Sequence, residues 1–379
     1  MTKLLFEGWR RVAHSYALVA QSHCLSLLKR SDVELRFRDI SLLQGWRHVD
    51  GVFDADAERA LADIKSPSSD FHTDVTVTFG GDLLPSAHGR RFAFGTPEYR
   101  TITPEARGNF KSAAEVPPSV HVLTPSHWTA EAYRRFGFGP ERIHVVPHGV
   151  DPRVFRPDET LRAAARKQLG FEGLFLFLSL GAMTDNKGIG LLLRAFASVA
   201  GSVSDARLIL KGADDLYPSK RLLETTLAAL HASDRSVIGN RLTYIGGTRS
   251  SAAMADLIRA ADCYVSPYFA EGFNMPVLEA AACGVPVICT AGGSTDDFTD
   301  PSSTLRIRST PVGVRIFSGL IGDARKPDLD HLTELMLDLT RDPTKAREIG
   351  ARAADHATRG LRPAPRSPVP LSDQTLHRA

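Results

Sequence analysis

Short apolar runs alternate along the chain with stretches whose apolar residues recur at helical spacing, and the alternation occurs twice. In the first half, strands are predicted over 3–7, 33–38, 75–79, 91–95 and 120–124, with helices over 15–29 and 128–136. Leu18, Val19, Cys24, Leu25 and Leu28 mark one face of the first helix. A further apolar strand begins at Ile143 and closes in a Pro/Gly turn. The second half repeats the pattern more clearly. Strands are predicted over 174–180, 207–211, 242–245, 263–266 and 285–290, with helices over 159–168, 188–200, 219–232, 251–260, 276–283, 332–341 and 343–356. Strands that alternate with helices argue for βαβ units around parallel sheets, hence an α/β fold of two Rossmann-like domains facing a central cleft. The change of character after residue 143 places a linker near 150–170 and divides the chain into 1–155 and 156–357. Residues 358–379 form a proline-dense tail, predicted to be extended or disordered because proline cannot continue a helix.

Composition narrows the class. With 379 residues the chain is long enough for two cores, and 43% hydrophobic and 23% charged residues are ordinary for a globular protein. A net charge of +3, without a dense Lys/Arg stripe, argues against nucleic acid as a partner. No apolar run reaches the roughly 20 residues that span a bilayer. Met1–Gly8 runs straight into a strand with no signal-peptide pattern, which predicts a cytoplasmic location. Cys24, Cys263, Cys283 and Cys289 lack metal-ligand spacing and sit in apolar segments, as buried thiols do in a reducing compartment.

Three loops at predicted strand ends carry candidate chemistry. Leu180-Gly181-Ala182-Met183-Thr184-Asp185-Asn186-Lys187-Gly188 leads into a helix, so the Lys187 ammonium and helix amides are placed to neutralise a diphosphate. Gly246-Gly247-Thr248-Arg249 permits close approach of a base or ribose, with Arg249 nearby. The third runs from Glu271 through Gly272, Phe273 and Asn274 to Pro276 and Glu279. Two carboxylates bracket a turn and a helix start there; a phosphate suits the amides and sugar hydroxyls suit the carboxylates. Each loop taken singly is compatible with an ordinary solvated turn.

Four stretches together resemble the retaining glycosyltransferases of family 4, which adopt the two-domain GT-B fold. They are Leu123-Thr124-Pro125-Ser126, Val146-Pro147-His148-Gly149-Val150-Asp151, the Lys187-Gly188 loop, and the Glu-x7-Glu motif from Glu271 to Glu279 with its continuation to Gly284. The resemblance implies that Glu271 contacts the donor hexose and Glu279 the ribose. It places Gly272, Phe273 and Asn274 beside sugar and phosphates, and Lys187, aided by Asn186, on the diphosphate. On the acceptor side it points to the loop Gly8-Trp9-Arg10 and to Glu98. It further implies a metal-independent hexosyltransferase with no cofactor beyond a nucleotide-diphosphate sugar as co-substrate. The acceptor would be a saccharide or a lipid-linked molecule, at times at the inner membrane face, in cell-surface polysaccharide or glycolipid synthesis.

The chain departs from the family in four places, one being that the paired glycines of the usual first loop are missing. Ala182 stands where members usually carry a diphosphate-binding arginine, so that either Lys187, Asn186 and helix amides suffice or another arginine, Arg10 or Arg249, reaches in. Glu98 falls in the segment where many members have a histidine. The proline-dense tail occupies the place of a helix that commonly crosses back onto the N-terminal domain. These departures leave two alternatives in view, a catalytically impaired nucleotide-sugar-binding protein and a GT-B nucleotide-sugar epimerase.

Overall fold

The computed structural model describes residues 1–80, 82–316 and 319–360. Its frame is two six-stranded parallel sheets. The first comprises β1 (Thr2–Gly8), β2 (Val33–Asp39), β3 (Val75–Thr78), β4 (Arg90–Phe94), β5 (Val120–Thr124) and β6 (Ile143–Val145), in the order β2-β1-β3-β4-β5-β6. The second comprises β7 (Phe175–Leu180), β8 (Ala206–Lys211), β9 (Leu242–Ile245), β10 (Cys263–Ser266), β11 (Val287–Thr290) and β12 (Leu305–Ile307), in the order β12-β11-β10-β7-β8-β9.

Strand β7 shows why the second sheet reads as near-continuous apolar sequence. Both of its faces are covered, as crossover helices require of a parallel sheet. Phe175 and Phe177 face one core with helix Ile189–Ser202 and Met336, while Leu176 and Leu178 face another with Ile258, Val277 and Leu278. Phe196 is fully buried in the first of these cores, edge-on to Phe177 at 6.4 Å.

Departures from the predicted elements have local causes. The helix expected over 219–232 is two helices, Ser219–Ala228 and Ala232–Ile238, with Leu230 buried at the break and His231 in an extended conformation. Helix Ala55–Ala62 escapes the apolar pattern because Leu61 is its one buried residue; the Asp54 side chain caps it by accepting the Ala57 amide. An antiparallel hairpin, β13 (Ser309–Arg315) and β14 (Ile321–Pro327), was also not expected, since Pro311 and Gly313 disguise its strand pattern. The hairpin reaches across to the other half of the chain. The Asp323 amide donates to the Tyr99 carbonyl (2.8 Å), and its carboxylate pairs with Arg135 (2.8 Å) and Arg100 (3.4 Å).

The last helix, Pro343–Gly360, runs past the tail boundary expected at 358 and packs on helix Met275–Ala282. Their contact is close. A Cβ on Gly350 would stand 2.1 Å from the Gly284 carbonyl oxygen. The rest of the proline-dense tail, 361–379, lies outside the described residues.

Phe196→Ala should cost about 3–5 kcal/mol of unfolding free energy, seen as a lower denaturation midpoint at unchanged slope. A loss below about 1 kcal/mol would mean that this core repacks freely.

Candidate active site

The C-terminal ends of both sheets' strands open onto one cavity of about 480 Å³. The two walls approach closely at a glycine. A Cβ on Gly272 would stand 2.6 Å from the Thr96 Cβ, and the Gly272 carbonyl accepts the Ser126 hydroxyl at 2.7 Å. Any side chain at 272 would wedge the halves apart.

Lys187 ends a short 3-10 turn, Asp185–Lys187, and the helix begins two residues later at Ile189. Gly188 joins them with φ +70°, and a Cβ there would meet the Pro267 carbonyl oxygen at 2.0 Å. Only glycine fits. This brings the Lys187 Nζ to 2.9 Å from Glu271 and 3.5 Å from Glu98. Asn186 braces the group: its Nδ2 donates to Glu98 (2.8 Å) and to the Ala270 carbonyl (3.1 Å), while its own carbonyl accepts the Phe269 amide.

The electrostatics follow from two carboxylates sharing one ammonium. Burial works against the Lys187 charge, but Glu271 and Glu98 outweigh it and raise its pKa. Burial pushes Glu271 up to about 7; Lys187 pulls it down and Glu98 pushes it further up. For an isolated ion pair those two shifts would conflict. Here burial is the larger cause of the Glu271 rise, and the second carboxylate adds to it because one ammonium cannot compensate two anions.

Asn274 starts the helix Met275–Ala282 from the left-handed region, φ +73°, with its Nδ2 on the Ser266 hydroxyl at 2.9 Å. Phe273 is buried, stacked on Phe298 (4.4 Å) and edge-on to His148 (4.9 Å). Both side chains therefore point into protein, and the loop offers its backbone to the cleft. Glu279 stands one helical turn further along. Burial alone raises its carboxyl to about 7, and among the described residues no donor reaches it. A half-buried carboxylate at a helix start, with no protein partner, is equipped to accept hydrogen bonds from ligand hydroxyls.

Residues 175–306 match the family model for glycosyl transferases group 1, and residues 87–154 match that for glycosyltransferase family 4. The chain belongs to glycosyltransferase family 4 and has the GT-B fold. It is 27% identical to the GDP-mannose-dependent monoacylated alpha-(1-6)-phosphatidylinositol monomannoside mannosyltransferase of Corynebacterium glutamicum, over 66% of this chain and 60% of that one. It is 32% identical to the D-inositol 3-phosphate glycosyltransferase of Mycobacterium avium, over 59% of this chain and 48% of that one. The matched region thus spans about half the length of these curated relatives. Among solved structures, sucrose-phosphate synthase from Thermosynechococcus elongatus superposes with TM-score 0.66 at 16% identity, covering 95% of this chain and 94% of that one. HepE from Anabaena, solved with UDP and glucose, does so with TM-score 0.66 at 15% identity, covering 95% of each. These two likenesses bear on the fold.

Within this family-4 frame, the cavity brings together Lys187, Glu271, Glu279, Gly272, Phe273, Asn274, Arg249 and Glu98. It leaves out the loop assigned to the acceptor side. Gly8 packs against Phe79, and Trp9 is buried beside Trp46 with its indole N–H on the Ser41 carbonyl. Arg10 turns away from the diphosphate position to pair with Asp39, donates to the Leu61 carbonyl and lies over Phe37. It is therefore no substitute for the arginine missing at 182. Gly246 serves Asp214, whose carboxylate fills the space a Cβ would need. Asn186 braces Glu98 rather than facing the cavity.

Sequence reasoning passed over other cavity residues. His14 caps helix Ser15–Leu27, its Nδ1 accepting the Tyr16 amide at 3.2 Å. Burial and the Lys187 charge lower its pKa to about 4, so the ring is neutral and carries its proton on Nε2. Its signal was a capping histidine just before a helical pattern. Lys211 was visible as a lysine ending the apolar strand β8, yet strand-end lysines ordinarily reach solvent. Among the described residues, no cluster of three or more His, Cys, Asp or Glu is placed to hold a metal ion, and no helix is long and apolar enough to cross a membrane.

The raised Glu279 pKa has a thermodynamic consequence. Folded protein holds this proton up to about pH 7, whereas the unfolded chain releases it near the ordinary 4.5. Across that window the unfolded state binds fewer protons, so the contribution of Glu279 to stability falls as pH rises. Glu279→Gln should melt like the wild type near pH 4 and above it near pH 8. Equal melting temperatures at both pH values would refute the shift.

Proposed function

We propose that this protein transfers a hexose from a nucleotide-diphosphate sugar to an acceptor hydroxyl with retention of anomeric configuration, acting from the cytoplasm and without a metal. The observation that carries the reading is the convergence of Lys187, Glu271 and Glu279 on one cleft at the mouth of a helix. Breaking the bond between the anomeric carbon and the phosphate oxygen leaves negative charge on a diphosphate. Lys187, with amides of the 271–276 loop, stabilises that charge as it develops. Glu271 holds the sugar and Glu279 holds the ribose. The acceptor oxygen bonds to the anomeric carbon on the face the phosphate leaves, and the acceptor proton passes to the departing phosphate oxygen.

The donor class is supported by the UDP, UDP-glucose and GDP-mannose named for similar proteins, although those proteins differ in base. The acceptor we propose is a saccharide or lipid-linked molecule, in keeping with the phosphatidylinositol mannoside named for the Corynebacterium relative. This would place the enzyme in polysaccharide or glycolipid synthesis, peripheral at the inner face of the membrane.

Ala182, in place of a cation, favours a second reading in which the cleft binds a donor without turning it over. A release assay separates the two. The wild type, given UDP-glucose or GDP-mannose with a saccharide or glycolipid panel, should liberate nucleoside diphosphate, and NMR should show the donor's anomeric configuration in the product. Lys187→Ala and Glu271→Ala should each lower turnover by about 10²–10³-fold. Binding without release would establish the impaired reading, and an epimerised nucleotide sugar with no acceptor consumed would establish an epimerase.

A further inference from the structure

Glu271 and Glu98 already share the Lys187 charge, so a diphosphate would gain from a second cation beside Lys187 and the loop amides. One stands nearby. Lys211 ends β8 beside Leu180 of β7, and its carbonyl accepts the Gly181 amide at 3.0 Å. The following turn is stitched to the Ala182 loop through Ser219, whose hydroxyl donates to the Ala182 carbonyl (3.0 Å) and accepts the Ala213 amide (3.1 Å). Lys211 thus flanks the space that Ala182 leaves open.

The lysine is 6% exposed and lines the cavity, yet among the described residues no carboxylate lies within ion-pair distance of it. Its Nζ donates to the Gly212 carbonyl. The nearby Asp214 carboxylate is engaged by the Tyr244 hydroxyl (2.6 Å) and the Lys220 amide (3.0 Å). Arg249 lies on the same cavity and repels it. Burial, with Arg249, holds the ammonium's pKa down to about 8 despite Asp214. A buried ammonium without a counter-ion is costly to the folded state unless an anion completes the site.

We infer that Lys211 is the second diphosphate-binding cation of this enzyme, standing in for the absent arginine and completing the site with Lys187. The inference rests on the nucleotide-sugar reading above. Titration calorimetry with UDP and GDP on wild type, Lys211→Met, Lys211→Gln and Lys187→Met tests both and tells them apart. The two Lys211 variants should melt no lower than wild type and should bind roughly 10- to 100-fold more weakly each nucleotide that wild type binds, the scale of one hydrogen bond to a charged group. If both variants bind within about twofold of wild type while Lys187→Met is weakened, this inference fails and the donor reading stands. Weakening for one nucleotide only, where wild type binds both, would assign Lys211 to base reading and overturn it. If wild type binds neither nucleotide, the donor reading fails as well.

Discussion

The ammonium of Lys187, held between Glu271 of one wall and Glu98 of the other, is the interaction around which the cleft is organised. It fixes side chains that line the cavity, and it ties the loop after β4 to the loops after β7 and β10. Its charge balance also sets the chemistry. The two carboxylates keep Lys187 protonated, while burial, with Glu98 adding to it, raises Glu271. Any anion entering the cleft would compete with both carboxylates for this one cation.

That arrangement depends on backbones approaching where no side chain fits. Gly188 lets the Lys187 turn press on the Pro267 carbonyl, and Gly272 lets the two walls meet at Thr96. Asn274 tolerates the left-handed conformation that starts the helix and secures it through Ser266. The hairpin Ser309–Pro327 adds a brace outside the cleft, with Asp323 between Arg100 and Arg135. The hairpin bridges the two halves, and helix Pro343–Gly360 packs on helix Met275–Ala282 of its own half.

Much of the fold was legible in the sequence because parallel strands covered on both faces cannot avoid being apolar. Strands β5, β9 and β10 fall at the predicted boundaries, and β7 and β8 lie within one residue of them. Elements with little buried surface were not legible: helix Ala55–Ala62, the three-residue β12 and the hairpin. The cavity lining was legible where a loop runs from a strand end into a helix, at Lys187, Glu271, Glu279 and the loop between the two glutamates. It differs where the resemblance placed the loop after the first strand beside the acceptor. Gly8, Trp9 and Arg10 follow a strand that points at the cleft, but Trp9 and Arg10 are drawn into packing with Trp46 and Asp39.

The sequence by itself determined the two parallel sheets, the loops that carry chemistry and the family. Periodicity and motif are local properties, written in residues close along the chain. Only the tertiary structure decided which charges meet. Glu98 joins Lys187 across 89 residues, Arg10 is claimed by Asp39, and Lys211 is left buried without a carboxylate partner among the described residues. Electrostatic partnership depends on distance in space and on exclusion of water, and neither is set by separation along the chain.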